Sequence, residues 1–162
     1  MGFLKTVFGK TDGIRIGSPC RGRLKALQEV KDPTFSAGIL GPGIAIVPSE
    51  GKFYAPADGI VATLFPTGHA AAIKTDEGVK LLLHIGLDTV KLNGKHFTIH
   101  VEEGQRVKQG DLLLEADLEA VRAAGYDTTT PVVICNADAF EKISTSDAEE
   151  VSRGDEILSL IK

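Results

Sequence analysis

The chain has 162 residues, about one domain at ~150 residues per domain, and is long enough to build a core without disulfide or metal staples. Its 18 Lys and Arg against 22 Asp and Glu leave a formal net charge of −4, which excludes the strongly basic surface a nucleic-acid binder needs to displace counterions from phosphates. Apolar residues at 43% and charged residues at 25% belong to a folded globular chain, not to a disordered or collagenous one.

At the N-terminus, Met1 to Lys10 has no basic leader followed by a long apolar stretch. No apolar run in the chain approaches the ~20 residues that cross a bilayer. A cytoplasmic protein with no signal peptide and no membrane span is expected. Residues 1–15 read as an N-terminal extension and 16–162 as the domain. The cysteines, Cys20 and Cys135, lie far apart with no metal spacing, and read as two free thiols of the kind that pack in a core.

Downstream, Asp32-Pro33-Thr34-Phe35-Ser36-Ala37 places Pro after a capping Asp and predicts one helical turn. Short apolar pieces follow at 44–47, 59–64, 70–74, 79–85, 97–101, 112–116, 132–134 and 157–161, rich in Val, Ile, Thr and Phe and separated by turn residues. Asp117 to Gly125 predicts about two turns of helix with an Asp cap and a closing Gly, and 136–140 another short turn. The expected fold is all-β: an antiparallel sandwich or flattened barrel with a few short helical turns.

Two internal echoes refine this. Pro19-Cys20-Arg21-Gly22-Arg23-Leu24-Lys25-Ala26-Leu27 resembles Pro56-Ala57-Asp58-Gly59-Ile60-Val61-Ala62-Thr63-Leu64. Val107-Lys108-Gln109-Gly110-Asp111-Leu112-Leu113-Leu114 resembles Val151-Ser152-Arg153-Gly154-Asp155-Glu156-Ile157-Leu158. Two copies of each pattern predict two similar β units around one core. Their spacing is too irregular for a solenoid.

The chemistry concentrates in histidines. His84 lies in the most apolar strand candidate, where loss of solvation favours the neutral ring. Such a ring keeps a lone pair for nucleophilic attack or ligation, or it is a satisfied core histidine. His69 follows the Pro66-Thr67-Gly68 turn. If a hairpin turns at Thr75-Asp76-Glu77-Gly78, His69 stands six residues before it and His84 six after, opposite each other across an antiparallel pair. One could supply a nucleophilic nitrogen and the other a hydrogen bond to an anion, or the two could hold a metal. His96 and His100 would share one face of a strand, as solvated side chains or a surface metal site.

The segments Ala55-Pro56-Ala57-Asp58-Gly59, Phe65-Pro66-Thr67-Gly68-His69-Ala70, Leu83-His84-Ile85-Gly86-Leu87-Asp88-Thr89-Val90, Glu103-Gly104-Gln105-Arg106-Val107 and Thr130-Pro131-Val132-Val133 together resemble the glucose-type enzyme IIA domain of the bacterial phosphoenolpyruvate-dependent sugar phosphotransferase system. Asp32-Pro33-Thr34-Phe35 and Gly41-Pro42-Gly43-Ile44 extend the likeness, which spans residues 16–162. It implies a duplicated hybrid sandwich that carries phosphate for sugar uptake. His84 would accept a phosphoryl group on Nε2 from the phosphocarrier HPr and pass it to a cysteine of a IIB domain. His69 would steady that group, Thr67 would orient His69, and the Gly86 carbonyl would bond Nδ1 of His84. Asp32 and Asp88 would face basic groups on partners, and Phe35 and Phe65 would join the apolar contact surface. The resemblance implies a monomer, needing no cofactor, on the cytoplasmic face if joined to a permease. Zn²⁺ could bridge His69 and His84 in a complex. In this chain Gly68 and Leu82 depart from residues common in relatives, and neither carries a reacting atom.

Two rivals stand beside this reading. The Val107–Asp111 turn also resembles one in biotinyl and lipoyl carriers, but no Met-Lys-Met or Asp-Lys-Ala motif displays a lysine. A zinc hydrolase wants three protein ligands, whereas only His69 and His84 converge.

Overall fold

A computed structural model of the chain describes residues 13–162. Residues 1–12 of the expected N-terminal extension lie outside the described residues. The chain then runs through β1 (Ile14–Gly17), β2 (Gly22–Ala26), a 3-10 turn (Leu27–Glu29), α1 (Pro33–Ser36), β3 (Gly43–Pro48), β4 (Lys52–Tyr54), β5 (Gly59–Leu64), β6 (Ala70–Thr75) and β7 (Lys80–His84). A second 3-10 turn (Thr89–Leu92) leads to β8 (Phe97–Ile99), β9 (Arg106–Val107), β10 (Leu112–Ala116), α2 (Leu118–Ala123) and β11 (Thr130–Ile134). A third (Ala137–Ala139) precedes β12 (Lys142–Thr145), β13 (Glu150–Val151) and β14 (Glu156–Ile161).

The strands form one eight-stranded sheet in the order β13-β2-β3-β11-β7-β6-β5-β9, and two three-stranded sheets, β1-β14-β12 and β4-β10-β8. All pairings are antiparallel. The sheets are not closed into a barrel, so the sandwich is the form adopted. Phe53, Leu83, Leu114, Ile134 and Leu158 are among the fully buried side chains of the main core. A smaller cluster of Leu27, Val30, Phe35, Ala45, Leu87 and Val133 packs α1 and the first 3-10 turn onto the other face of the central strands. That second layer is why every residue of β11 is buried, whereas the first four residues of β5 alternate buried and exposed.

The echoes are one architecture used twice. The Asp111 carbonyl accepts from the Ala55 N–H at 2.8 Å, and that of Asp155 from the Ser18 N–H at 2.7 Å. Each aspartate also closes its own turn, its carboxylate accepting from Lys108 N–H or Ser152 N–H, both at 2.8 Å. Gly22 pairs with Pro48 and Val151, and Gly59 with Thr75 and Val107. At either glycine a Cβ would overlap the carbonyl oxygen of the adjacent strand, so both positions need the bare Cα. The register also fixes the relation between the halves. Gly43 faces Val133 in one and Ala70 faces His84 in the other, while Leu83 faces Val132 across the centre. A local two-fold axis therefore passes between Leu83 and Val132.

Asp117 caps α2 by accepting from the Ala120 N–H, and Asp32 caps α1 by accepting from the Thr34 N–H, as their sequence positions predict. Cys20 is buried, where desolvation, helped by Glu50, pushes its thiol up to about 12. Cys135 is exposed, contrary to the core packing expected of it, because it sits just past the last residue of β11. Among the described residues no helix is long and apolar enough to cross a membrane.

Candidate functional site

His84 is the last residue of β7, and His69 immediately precedes β6. Their ring centroids lie 4.9 Å apart with planes at 81°, an edge-on contact. The hairpin joining β6 and β7 is one residue out of the expected register. Thr75 N–H donates to the Val79 carbonyl, and Gly78 takes φ of 91°. The loop is therefore three residues long, and His84 faces Ala70 rather than His69. His69 sits level with Ile85, whose N–H donates to its carbonyl at 2.7 Å. The rings still meet because both residues stand where the strands end.

Each Nδ1 is held locally. His84 Nδ1 lies 2.8 Å from the Gly86 carbonyl, which can only accept, so the proton is on Nδ1. His69 Nδ1 is bonded to the Thr67 hydroxyl. Neither Nε2 has a hydrogen-bond partner among the described residues, and no buried side-chain nitrogen or oxygen among them lacks one. His84 is half-buried, and His69 is only 2% exposed.

Burial, and then the charge on the neighbouring His84, push His69 down to about 4. Burial also pulls His84 below the usual imidazole range. The Gly86 carbonyl and the carboxylates of Asp32 and Asp88 oppose it without reversing it. Both rings are neutral at pH 7, and His84 keeps a free lone pair on Nε2.

Three aromatic rings fence the pair. Phe35 lies 5.0 Å from His84, and Phe65 and Phe97 lie 5.4 and 6.4 Å from His69. Phe65 is exposed. Phe35, expected on the apolar contact surface, is only 3% exposed and packs behind His84, because α1 is folded down onto β7 and β11. Ile39 and Leu40 just after α1, and Val90 just after Asp88, are the large apolar side chains left exposed on those segments. Phe97, Thr89 and Asp127 were not legible as site residues. Phe97 comes from a distant strand, and the other two act on main-chain groups.

His96 and His100 flank β8 instead of sharing one of its faces. His96 takes φ of 77°, and His100 bonds Glu115 at 2.8 Å. Among the described residues no group of three or more His, Cys, Asp or Glu side chains is placed to hold a metal ion, so the third ligand a zinc hydrolase needs is not there.

Two imidazoles that meet where neighbouring strands end, with aromatic rings around them and the carboxylates of Asp32 and Asp88 acting on His84, define a site of the kind suited to nucleophilic or hydrogen-bonding chemistry on an anionic group. The comparisons narrow that class. Residues 14–140 match the family described as phosphoenolpyruvate-dependent sugar phosphotransferase system, EIIA 1. The chain is 47% identical over 157 residues to a beta-glucoside-specific EIIBCA component of Halalkalibacterium halodurans, covering 97% of this chain and 25% of that one. It is 44% identical over 153 residues to a glucose-specific EIIA component of Bacillus cereus, covering 93% of each. The solved glucose permease IIA of Mycoplasma capricolum superposes with a TM-score of 0.82 at 37% identity, over 91% of this chain and 95% of that one. The chain belongs to the EIIA 1 family of the sugar phosphotransferase system, whose members are phosphotransferase components of sugar uptake. It spans about a quarter of the length of the beta-glucoside-specific relative and nearly all of the glucose-specific one.

Proposed function

We propose that His84 Nε2 accepts a phosphoryl group from a phosphohistidine of HPr and hands it to a cysteine thiolate of a IIB domain. The observation that carries this reading is the Nδ1 bond to the Gly86 carbonyl, which leaves Nε2 unprotonated with its lone pair free. In the forward step a P–N bond forms at His84 Nε2 as the donor's P–N bond breaks. In the next step an S–P bond forms as the His84 P–N bond breaks. The transition state is loose, so the protein supplies alignment and charge stabilisation more than covalent chemistry.

His69, kept neutral and with Nδ1 accepting from the Thr67 hydroxyl, carries its proton on Nε2 and donates it to a phosphoryl oxygen in a hydrogen bond. Asp32 and Asp88 face basic groups on the partner, and exposed Phe65, Ile39, Leu40 and Val90 provide its apolar footing. The phosphoryl group arrives already bonded to protein, so this step requires no cofactor. The relatives are named for glucose and beta-glucosides, and sugars of that class are the ones this relay serves.

The test is incubation with phosphoenolpyruvate, enzyme I and HPr, followed by a search for acid-labile, base-stable phosphate. The wild-type chain takes up label, and His84→Ala takes up none. Label retained by His84→Ala at the native rate refutes the assignment.

A further inference from the structure

The His84 ring is only as well aimed as the Gly86 carbonyl that holds it. Gly86 takes φ of 78°, in a loop between β7 and the second 3-10 turn, where nothing in the sheet fixes its orientation. Two peptide planes flank its Cα. In the plane after it, the Gly86 carbonyl and the Leu87 N–H point in opposite directions. The Leu87 N–H donates to the Asp127 carbonyl at 2.9 Å, which turns the Gly86 oxygen toward the ring. Asp127 is itself fixed, its carboxylate accepting from the Thr129 N–H at 2.8 Å and the Thr129 hydroxyl at 2.7 Å.

In the plane before Gly86, the Ile85 carbonyl accepts from the Thr89 hydroxyl at 2.5 Å. Thr89 is 0% exposed, and its methyl group occupies the space a Cβ on Gly86 would need. One side chain thus uses its hydroxyl on one peptide and its methyl on the next Cα.

We propose that Thr89 is a positioning residue for phosphoryl transfer: by clamping the Ile85–Gly86 peptide it keeps the Gly86 carbonyl on His84 Nδ1 and so fixes which ring nitrogen is free. This rests on the reading of His84 as the acceptor. Thr89 touches no reacting atom.

Thr89→Val keeps the shape and removes the donor, while Thr89→Ser keeps the donor and removes the methyl. In the full chain, ¹⁵N shifts of the His84 ring above its pKa report the tautomer without any phosphoryl transfer. Wild type and Thr89→Ser are expected to show one Nδ1–H tautomer, and Thr89→Val a mixture. Loss of one hydrogen bond predicts roughly a tenfold lower kcat for transfer from phosphorylated HPr in Thr89→Val, with KM unchanged because the docking surface is untouched. Thr89→Ser stays within about twofold of wild type if the hydroxyl is the working group.

An unchanged tautomer in Thr89→Val overturns the proposal, as does a Thr89→Ser variant damaged as badly as Thr89→Val. Should Thr89→Val fail to fold, the wild-type hydroxyl proton decides. Slow exchange of that proton supports the clamp, and free exchange overturns it. Absence of label on wild-type His84 would overturn the acceptor reading instead, with the ring-nitrogen shifts still deciding the role of Thr89.

Discussion

Pro42 and Val133 occupy, in one half of the eight-stranded sheet, the places that His69 and His84 occupy in the other. The Ile134 N–H donates to the Pro42 carbonyl at 2.8 Å, just as the Ile85 N–H donates to the His69 carbonyl at 2.7 Å. The backbone is the same, and the difference lies in the connections. Residues 65–69 join β5 to β6 by a short turn, whereas residues 27–42 join β2 to β3 through α1 and a 3-10 turn. The longer connection covers the centre of the sheet, buries Val133 completely and brings Phe35 against His84. One half of the repeat became the roof of the site built on the other.

The comparison breaks most visibly at the histidine itself. His84→Ala abolishes phosphoryl labelling, and adding Val133→His to that variant does not restore it, because the roof leaves no access there. Label on the double variant would show that the two positions are equivalent in chemistry as well as in backbone.

The second largest effect is on stability against pH. His69 has a folded-state pKa of about 4 against an unfolded value of 6.5, so the unfolded chain binds the proton more readily. Its contribution is fully present above about pH 6.5 and is lost as pH falls toward about 4, up to about 3 kcal/mol. His84, also lowered, acts in the same direction. Urea midpoints measured from pH 8 down to pH 5 should fall in wild type and fall less in His69→Gln. Equal slopes would mean that His69 is not held neutral by the fold.

Val133→Ala removes two buried carbons from the roofed half and should cost about 2 kcal/mol in urea unfolding while the phosphoryl label is retained. Smaller still is a difference between equivalents. Gly22→Ala and Gly59→Ala each press a methyl group on a neighbouring strand carbonyl, and each should cost about 1–3 kcal/mol by overpacking, with the two values close to each other. Widely different costs would limit the repeat to its hydrogen bonds.

The sequence made the strongly patterned parts readable. β5 and β10 have the bounds their apolar runs predict, and α1 and α2 carry the Asp caps read for them. The two echoes proved to be matching corners of one repeat. Strands β4, β9 and β13 were not legible, because two or three residues at a sheet edge bury too little to show a period. The one-residue offset between His69 and His84 arises at Gly78, whose positive φ lets the hairpin close over three residues instead of four. The burial of Phe35 carries no signal in the sequence, because an aromatic beside a capped turn does not reveal which way that turn folds. Thr89 and Asp127 work through peptide carbonyls, which every residue possesses, so residue type alone gave no signal for them.

Ile14 at the start of β1 lies opposite Leu160 near the end of β14. Among the described residues, the first and last strands thus begin and end at one corner. Sequence leading into Ile14 and sequence following Leu160 would attach at the same spot, and a short bridge from residue 162 to residue 13, with an outer bend cut elsewhere, should preserve the sandwich.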